Sequence, residues 1–355
     1  MAVARPGYVA YRNTLKALHL EPIELDCGED SGFQLTAAML EQLEPAPKGV
    51  IIASPANPTG TIIPRRELEA IAAVCARRGI AIVSDEIYHG ISYGPPTPSI
   101  LEVEPQAMVI NSFSKYFSMA GWRLGWLVAP PAKADAAIAR MSNLFLTPPS
   151  LSQHVGLVAM DCRDELEGNV ATYRRNRTLL LDALPGMGLA RIAPPDGAFY
   201  IYADVSEFTD DSMEFCLTLL KDTGVATAPG IDFDPVDGNH YMRISFAVST
   251  PEIEEAIARM TPWFAARNRR PRYISTWLPS STTRFDGRRK NSIALAALRS
   301  IQAKSFSRQI AMPGFDEAIS VWRLRKKLVF IISNGPPHMF ALVSAVGTSV
   351  SSRNP

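Results

Sequence analysis

Hydrophobic residues between positions 49 and 128 fall into short continuous runs and do not alternate with polar residues. The runs occupy 49–53, 80–84, 107–112 and 124–128. Continuous apolar runs of this length are typical of strands that are buried on both faces of a sheet. We therefore predict four buried strands in this part of the chain.

Longer amphipathic segments lie between and after these runs. Apolar residues recur at helical spacing over 65–78, 131–146 and 151–184. Pro64 suits the first turn of the first helix, and Gly79 suits its end. Alternating strands and helices indicate βαβ crossovers, so we predict a mostly parallel α/β sheet with helices on both faces.

The pattern changes after residue 184. We predict a hairpin over 189–205, a helix over 212–223, strands over 225–228 and 241–248, and a closing helix over 251–265. This order is typical of a smaller α+β domain. The predicted domains are therefore a partial large domain at 1–167, a small C-terminal domain at 168–264 and a tail at 265–355.

Charge separates the tail from the rest of the chain. The formal net charge is +1, but residues 265–355 hold 16 Lys and Arg against 3 Asp and Glu. Apart from short apolar elements at 293–301 and 318–332, this tail lacks a regular pattern, so we predict that it is basic and poorly ordered. The near-neutral balance predicts no nucleic-acid partner, and the absence of an apolar run of about 18 residues predicts no membrane partner.

The four cysteines are scattered and lack the spacing of metal ligands, which predicts reduced thiols and no metal site; they are Cys27, Cys75, Cys162 and Cys216. The first residues contain no apolar core of a signal peptide. Together these features predict a cytoplasmic protein.

A lysine with two nearby serines follows the third predicted strand. Ser112, Ser114 and Lys115 are followed by Arg123, eight residues after the lysine. A lysine becomes a nucleophile towards carbonyl groups when its surroundings keep the amine partly unprotonated. Two hydroxyls and a guanidinium suit a phosphate dianion. An isolated motif of this kind is more often a surface lysine on a loop, so its neighbours decide the interpretation.

Polar residues also follow the two preceding strands. Asp85 stands where one strand ends, three residues before Tyr88, and Asn57 lies in the turn after the other. Ligands bind at the carboxyl ends of the strands in open α/β sheets. A buried carboxylate there can keep a pyridine nitrogen protonated, which makes the ring an electron acceptor. Helix capping by Asp85 and an ordinary turn at Asn57 are the simpler interpretations.

Arg243 interrupts the apolar segment 241–248. A guanidinium is costly to bury unless it is paired. Both a structural ion pair and a bidentate clamp on a substrate carboxylate fit this position.

In this order, the motifs resemble those of the class I/II aminotransferases of fold type I, enzymes that use pyridoxal 5′-phosphate (PLP). The resemblance covers about residues 6–264, and S-F-S-K with Arg123, D-E-x-Y and N-P-T-G carry it. It implies an α/β fold with a mostly parallel large-domain sheet and a smaller α+β C-terminal domain. It also implies a homodimer that acts on an amino acid and a 2-oxo acid in amino-acid metabolism.

The resemblance assigns a role to each candidate residue. Lys115 would attach PLP covalently and move the proton during catalysis. The other predicted PLP-binding residues are Tyr8 stacking on the ring, Asn57 and Tyr88 at the phenolic oxygen, Asp85 at the pyridine nitrogen, and Ser112, Ser114 and Arg123 at the phosphate. Arg243 would bind the substrate α-carboxylate, beside Asn57 and Phe199, although Phe199 suits the core equally well.

The sequence departs from the family pattern in three places. The Pro-Gly-Tyr motif begins at residue 6, so the family's N-terminal segment and its phosphate-binding loop have no counterpart before it. Asp234 stands where P-G-x-x-F-G has its second glycine, and the tail has no counterpart. We expect weak PLP binding and little turnover from the chain as written, because losing two or three charge-assisted hydrogen bonds costs about 3–9 kcal/mol.

Three other interpretations remain open. A PLP-dependent C–S β-lyase has similar motifs, and its products would be ammonia and pyruvate from cystathionine. A non-catalytic remnant of an aminotransferase would fit the late start of the motifs. The aminotransferase-like half of a transcription regulator is supported only by the basic tail. The sequence does not identify the amino donor or acceptor.

Overall fold

The computed structural model describes residues 1–267 and the backbone of 329–332 and 341–344. The strands are β1 Ala2–Arg5, β2 Ile23–Asp26, β3 Gly49–Ala53, β4 Ala81–Asp85, β5 Met108–Ser112, β6 Gly125–Val128, β7 Tyr200–Asp204, β8 Ala228–Pro229, β9 Tyr241–Ser245, β10 Val329–Ile332 and β11 Ala341–Ser344. The α-helices are α1 Val9–Ala17, α2 Ala37–Gln42, α3 Arg65–Arg78, α4 Pro131–Phe145, α5 Ser150–Ala159, α6 Arg163–Ala183, α7 Ser212–Thr223 and α8 Thr250–Ala265.

The larger sheet is mostly parallel, as predicted. Its strand order is β11-β10-β6-β5-β4-β3-β1-β2. The strands from β2 to β5 run parallel, whereas β6 pairs antiparallel with β5. The four strands predicted from the sequence are confirmed as β3 to β6, but their residues alternate between buried and half-buried, and in β5 only Val109 is buried. Because β1, β3, β4 and β5 are parallel, the residues that follow them meet at one edge of the sheet.

Helix α3 has the bounds that its amphipathic pattern predicts. Its apolar face, which includes Leu68, Ile71 and Cys75, is buried in the same cluster as the strand residues Ile52 and Ile82. The helix ends at Gly79, whose φ of 66° lies in the left-handed region that glycine adopts without strain. The crossover between β3 and β4 is thus specified locally by its pattern and its cap.

The smaller sheet is antiparallel, in the order β7-β9-β8. The hairpin predicted over 189–205 is only partly correct, because its first arm contributes a single bridge between Ile192 and Ala203 and no strand. The predicted strand 225–228 is also reduced, since β8 pairs with β9 only through Ala228 and Pro229. Helices α7 and α8 contribute Leu219 and other side chains to the core of this sheet.

The single helix predicted over 151–184 is wrong, because two helices occupy this stretch. Cys162, with φ −85° and ψ 40°, lies outside helical geometry between α5 and α6. Asp164 and Glu165 then occupy the first turn of α6, where acidic side chains stabilise a helix N-terminus. Helix α6 spans the domain boundary predicted at 168, and the division into domains stays a prediction.

The first 48 residues contain elements that the sequence analysis did not assign, β1, α1, β2 and α2. Within the tail, the backbone of β10 pairs antiparallel with both β6 and β11. The remaining predictions for the tail, including an element at 293–301, lie outside the described residues. Among the helices described, none has both the length and the apolar character that crossing a membrane requires.

Candidate active site

Asp85 is the last residue of the central strand β4. Its Oδ2 accepts a hydrogen bond of 2.5 Å from the Tyr11 hydroxyl, and its Oδ1 accepts one of 3.0 Å from the Ile87 backbone. Desolvation by the surrounding protein raises the pKa of this carboxyl, while both hydrogen bonds and the charge of Lys115 oppose the rise. The site therefore holds an enclosed acid beside a lysine.

Lys115 follows β5, the strand next to β4. Its Nζ lies 5.8 Å from the centroid of the Tyr88 ring and 5.9 Å from that of Phe199. An ammonium near the face of an aromatic ring gains electrostatic attraction. The lysine thus has an aromatic environment close to the carboxylate of Asp85.

The Ser112–Arg123 segment forms a compact turn at the end of β5. The Ser112 Oγ lies 2.8 Å from the Ser114 Oγ and 3.0 Å from the Leu124 carbonyl oxygen, and it accepts a 3.0 Å bond from the Ser114 backbone. Arg123 has a φ of 52°, which is uncommon for a residue other than glycine. Burial lowers the pKa of its guanidinium. Two hydroxyls and a partly buried cation therefore lie in the same segment as Lys115, a composition that is compatible with the predicted phosphate site.

Tyr88 and Tyr200 join the two sheets through their hydroxyls, which are 2.8 Å apart. Burial raises the pKa of Tyr88 well above its ordinary value. The hydroxyl of Tyr88 therefore stays protonated and can donate a hydrogen bond to an oxygen acceptor. Tyr200 was not assigned a role from the sequence, although it directly follows Phe199.

Arg243 lies in β9 and faces Asn57 from the large sheet. Its Nη1 donates a 2.8 Å hydrogen bond to the Asn57 Oδ1. The guanidinium carbon lies 4.4 Å from the Tyr200 ring centroid and 4.7 Å from that of Phe233. The Nε is buried and has no hydrogen-bond partner within the described residues. Buried donors are rarely left without a hydrogen-bond acceptor, so the unsatisfied Nε indicates that a ligand binds here.

Tyr8 and Tyr11 close the site from the start of α1. Their rings meet edge to face, with centroids 5.6 Å apart. Burial and the negative charge of Asp85 raise the pKa of Tyr8, and the charges of Arg243 and Arg123 oppose this rise. Tyr11 is not among the residues predicted from the sequence, although its position three residues after Tyr8 brings both rings to one side of a helix.

The position of Phe199 is compatible with both of the roles considered from the sequence. It is 9% exposed and belongs to the core of the small sheet. Its ring centroid also lies 5.5 Å from that of Tyr88 and close to the Lys115 amine. The side chain therefore packs in the core and forms a wall beside the lysine.

Two glycines bring the N-P-T-G turn against the segment that carries Phe199 and Tyr200. The Gly197 backbone donates a 2.8 Å hydrogen bond to the Gly60 carbonyl oxygen. Gly60 has a φ of 74°, and a Cβ there would lie 2.9 Å from the Gly197 carbonyl oxygen and 3.0 Å from that of Tyr200. A Cβ on Gly197 would lie 2.5 Å from the Pro55 side chain. Only residues without side chains allow this close approach.

The structure places the ten predicted residues at the carboxyl edge of the large sheet and the adjoining face of the small sheet; they are Tyr8, Asn57, Asp85, Tyr88, Ser112, Ser114, Lys115, Arg123, Phe199 and Arg243. They bring together a lysine, a carboxylic acid, two hydroxyls with a cation, and an arginine whose Nε has no partner within the described residues. Their roles stay predictions.

The family model described as aminotransferase class I and II matches residues 1–260. A valine–pyruvate aminotransferase of Mycobacterium tuberculosis is 49% identical over 271 residues, which is 75% of this chain and 70% of the relative.

Solved structures agree with this match. A crystal structure of an aminotransferase from Mycobacterium tuberculosis superposes with a TM-score of 0.73 at 49% identity, over 75% of this chain and 70% of that one. Aspartate aminotransferase from Thermus thermophilus with maleate superposes with a TM-score of 0.68 at 30% identity, over 74% and 69%. The predicted fold type I architecture is therefore confirmed.

Proposed function

Because the chain belongs to the aminotransferase class I and II family, we propose that it binds PLP through Lys115 and transfers an amino group between an amino acid and a 2-oxo acid. Members of this family use PLP, and the relatives reported above are aminotransferases. The C–S β-lyase alternative finds no support among them.

The residues present fit PLP in charge and in hydrogen-bonding character. Asp85 offers a carboxylate for a protonated ring nitrogen, and Lys115 offers an amine at the neighbouring strand end. Ser112, Ser114 and Arg123 offer hydroxyls and a cation for a phosphate. We therefore assign PLP binding to these five residues, with Tyr8 against the ring and with Asn57 and Tyr88 at its phenolic oxygen.

When bound, PLP supplies a ring that accepts electron density from the α-carbon of the substrate. Lys115 takes up and returns the proton of that carbon as a general base and acid. Asp85 keeps the ring nitrogen protonated, because an enclosed carboxylate stabilises the adjacent positive charge. Tyr88 donates its hydroxyl proton as a hydrogen bond, which its raised pKa allows.

The observation that carries the proposal is the buried, unpartnered Nε of Arg243. Nη1 is held by Asn57, so the guanidinium is oriented before a ligand arrives. Within residues 1–267, no carboxylate lies within 4 Å of Arg243. Asp232 is near enough for the charge of Arg243 to oppose the rise that burial causes in the pKa of this carboxyl, but it forms no direct ion pair with the guanidinium. A substrate α-carboxylate would satisfy this donor with a charge-assisted hydrogen bond.

Valine and pyruvate form the first substrate pair that we propose, after the name of the relative with 49% identity. The test is to titrate the purified chain with PLP and to follow alanine formation from valine and pyruvate. Saturable PLP binding with steady alanine formation supports the proposal. Cystathionine cleavage without amino transfer would contradict it. The same titration measures whether PLP binding is as weak as the sequence analysis expects.

We further propose that a second copy of the chain covers an apolar surface formed by α4, α5 and the turn between them. Leu144, Leu146, Leu151 and Leu157 are between 62% and 78% exposed there. Large exposed apolar groups of this kind mark interaction surfaces. Light scattering should give the mass of a homodimer, and Leu146→Lys combined with Leu157→Lys should shift the mass towards that of a monomer.

A cytoplasmic location is supported by the state of the thiols. All four cysteines are unpaired. Burial raises the pKa of Cys27 to about 12 and the pKa of Cys75 and Cys216 to about 11. Cysteines that form no disulfide suit a reducing compartment, and the raised pKa makes the three buried thiols poorly reactive. Imaging of a fluorescent fusion of the chain would test the location.

A further inference from the structure

Arg5, the last residue of β1, is a buried cation with three carboxylates around it. Its Nη1 donates hydrogen bonds of 2.9 Å to Asp234 and 3.0 Å to Asp237, and its Nη2 lies 3.3 Å from Asp26. The side chain of Asp234 is only 4% exposed, against 38% for Asp26 and 50% for Asp237. The Arg5–Asp234 contact is therefore a buried ion pair, and it joins the large sheet to the segment 230–238.

The segment 230–238, which we call the 230–238 loop, is closed on itself. The backbones of Phe233 and Asp234 donate to the Gly230 carbonyl oxygen at 2.9 and 3.0 Å, and that of Gly238 donates to the Asp234 carbonyl oxygen at 3.1 Å. A Cβ on Gly230 would lie only 2.3 Å from the Gly238 carbonyl oxygen. The Asp234 Oδ1 also accepts a bond from the Asp237 backbone. An anchor at Asp234 therefore fixes the whole loop.

The 230–238 loop contacts both halves of the candidate site. The Gly7 backbone, next to Tyr8, donates a 3.2 Å hydrogen bond to the Phe233 carbonyl oxygen. The Phe233 ring lies 4.7 Å from the Arg243 guanidinium, and the Tyr200 ring lies 4.4 Å from it. Phe233 is therefore one of the groups, with Asn57 and Tyr200, that fix the direction of the Arg243 guanidinium.

Asp234 is also the position at which the sequence departs from P-G-x-x-F-G. A glycine there could not form a pair with Arg5. We propose that Asp234 is a positioning residue for substrate binding: its pair with Arg5 holds Phe233 against Arg243 and so directs the guanidinium at the substrate carboxylate. This inference rests on the proposed function, because it assumes that Arg243 binds a carboxylate.

Asp234→Asn is the variant that tests the inference. Asparagine keeps an Oδ1 acceptor for the loop backbone but removes the buried charge of the pair, so that only the partly exposed Asp26 and Asp237 remain to balance Arg5. We expect the dissociation constant of pyruvate from the PLP-bound protein, and the KM for the amino acid, each to rise about tenfold, which corresponds to about 1.4 kcal/mol. The kcat and the dissociation constant of PLP should stay within about twofold, because Lys115 and Asp85 are held by their own strands.

Glu29→Gln serves as the matched control. Glu29 forms an ion pair of 2.8 Å with Arg191, between the same two parts of the chain, but both side chains are about half exposed. This variant should leave pyruvate binding and KM unchanged. Phe233→Leu provides a second test, since it keeps the ion pair but removes the ring, and it should raise the same two quantities.

Thermal unfolding of the PLP-free variants separates positioning from general stability. A lower melting temperature for Asp234→Asn with unchanged pyruvate binding and KM would make the pair merely structural and overturn the inference. Equal loss of PLP and pyruvate binding would overturn it too. A wild-type chain that neither binds PLP nor transfers an amino group would instead contradict the proposed function, and this inference would fall with it.

Discussion

The two halves of the candidate site are held in different ways. On the side of the large sheet, Asp85 ends β4 and Lys115 lies in the turn that follows β5, and the pairing of these two strands brings both residues to the same edge. On the side of the small sheet, the backbone of Arg243 is held in β9 between β7 and β8, but its guanidinium lies at the end of a long side chain and contacts Asn57, Tyr200 and Phe233. The groups of the first half therefore lie close to their paired strands, whereas the orientation of the guanidinium in the second half depends on side chains from several segments.

Because of this difference, we expect substitutions in the two halves to affect different kinetic quantities. Changes at the strand ends remove a reacting or charged group and leave the scaffold intact, so they should act on cofactor chemistry. Changes around Arg243 disturb its orientation, so they should act on substrate affinity. The following experiments test this separation, from the largest expected effect to the smallest.

Lys115→Ala should lower kcat by about 10⁴-fold, because it removes the general base and acid of the reaction. Borohydride treatment of the wild-type chain with PLP should place the label on the Lys115 peptide, as peptide mapping by mass spectrometry would show. Lys133→Ala, at an exposed position in α4, is the control and should keep both activity and labelling. Label on another lysine with Lys115 unmodified would contradict the assignment.

Asp85→Asn should lower kcat by about 10²- to 10³-fold, since it removes a preorganised charge beside the ring nitrogen. The same change should stabilise the PLP-free protein at neutral pH. Burial raises the pKa of Asp85 above its ordinary value of 3.8, so the wild type loses stability as the pH rises through that raised pKa. Thermal unfolding of both proteins from pH 3 to 8 checks this, and a less stable variant at pH 7 would contradict it.

Arg243→Lys should weaken substrate binding by about one to two decades, because a charged hydrogen bond contributes roughly 1.5–3 kcal/mol. The dissociation constant of PLP should change by less than about twofold. Titration of the PLP-bound protein with pyruvate measures the first quantity, and absorbance titration with PLP measures the second. Arg191→Lys is the control, because it makes the same substitution near the small sheet at an arginine that pairs with Glu29. Equal losses of both ligands would assign Arg243 a structural role.

Tyr11→Phe should have the smallest effect, a three- to tenfold weaker binding of PLP, since a single hydrogen bond contributes about 0.5–1.5 kcal/mol. The Tyr11 hydroxyl lowers the pKa of Asp85, so its removal should raise that pKa further. The loss of PLP affinity at acidic pH should therefore begin at a higher pH than in the wild type. An unchanged pH profile would show that Tyr11 only fills space.

The sequence was informative where local pattern determines structure. Helix α3 could be delimited by its apolar spacing and Gly79, and Asp85 and Lys115 could be found because a parallel sheet gathers strand ends at one edge. Tyr200 and the Arg5–Asp234 pair were missed, because they depend on contacts between residues far apart in the chain. The break at Cys162 was missed because the amphipathic spacing continues across it.

The contact between Gly60 and Gly197 has a consequence for how this site tolerates variation. Asn57 approaches Arg243 where the segments that carry Gly60 and Gly197 touch, and neither of these two residues has a side chain. An alanine at either position would push the segments apart without altering any group that reacts or binds. The geometry around the arginine thus depends on two residues that take no part in its chemistry.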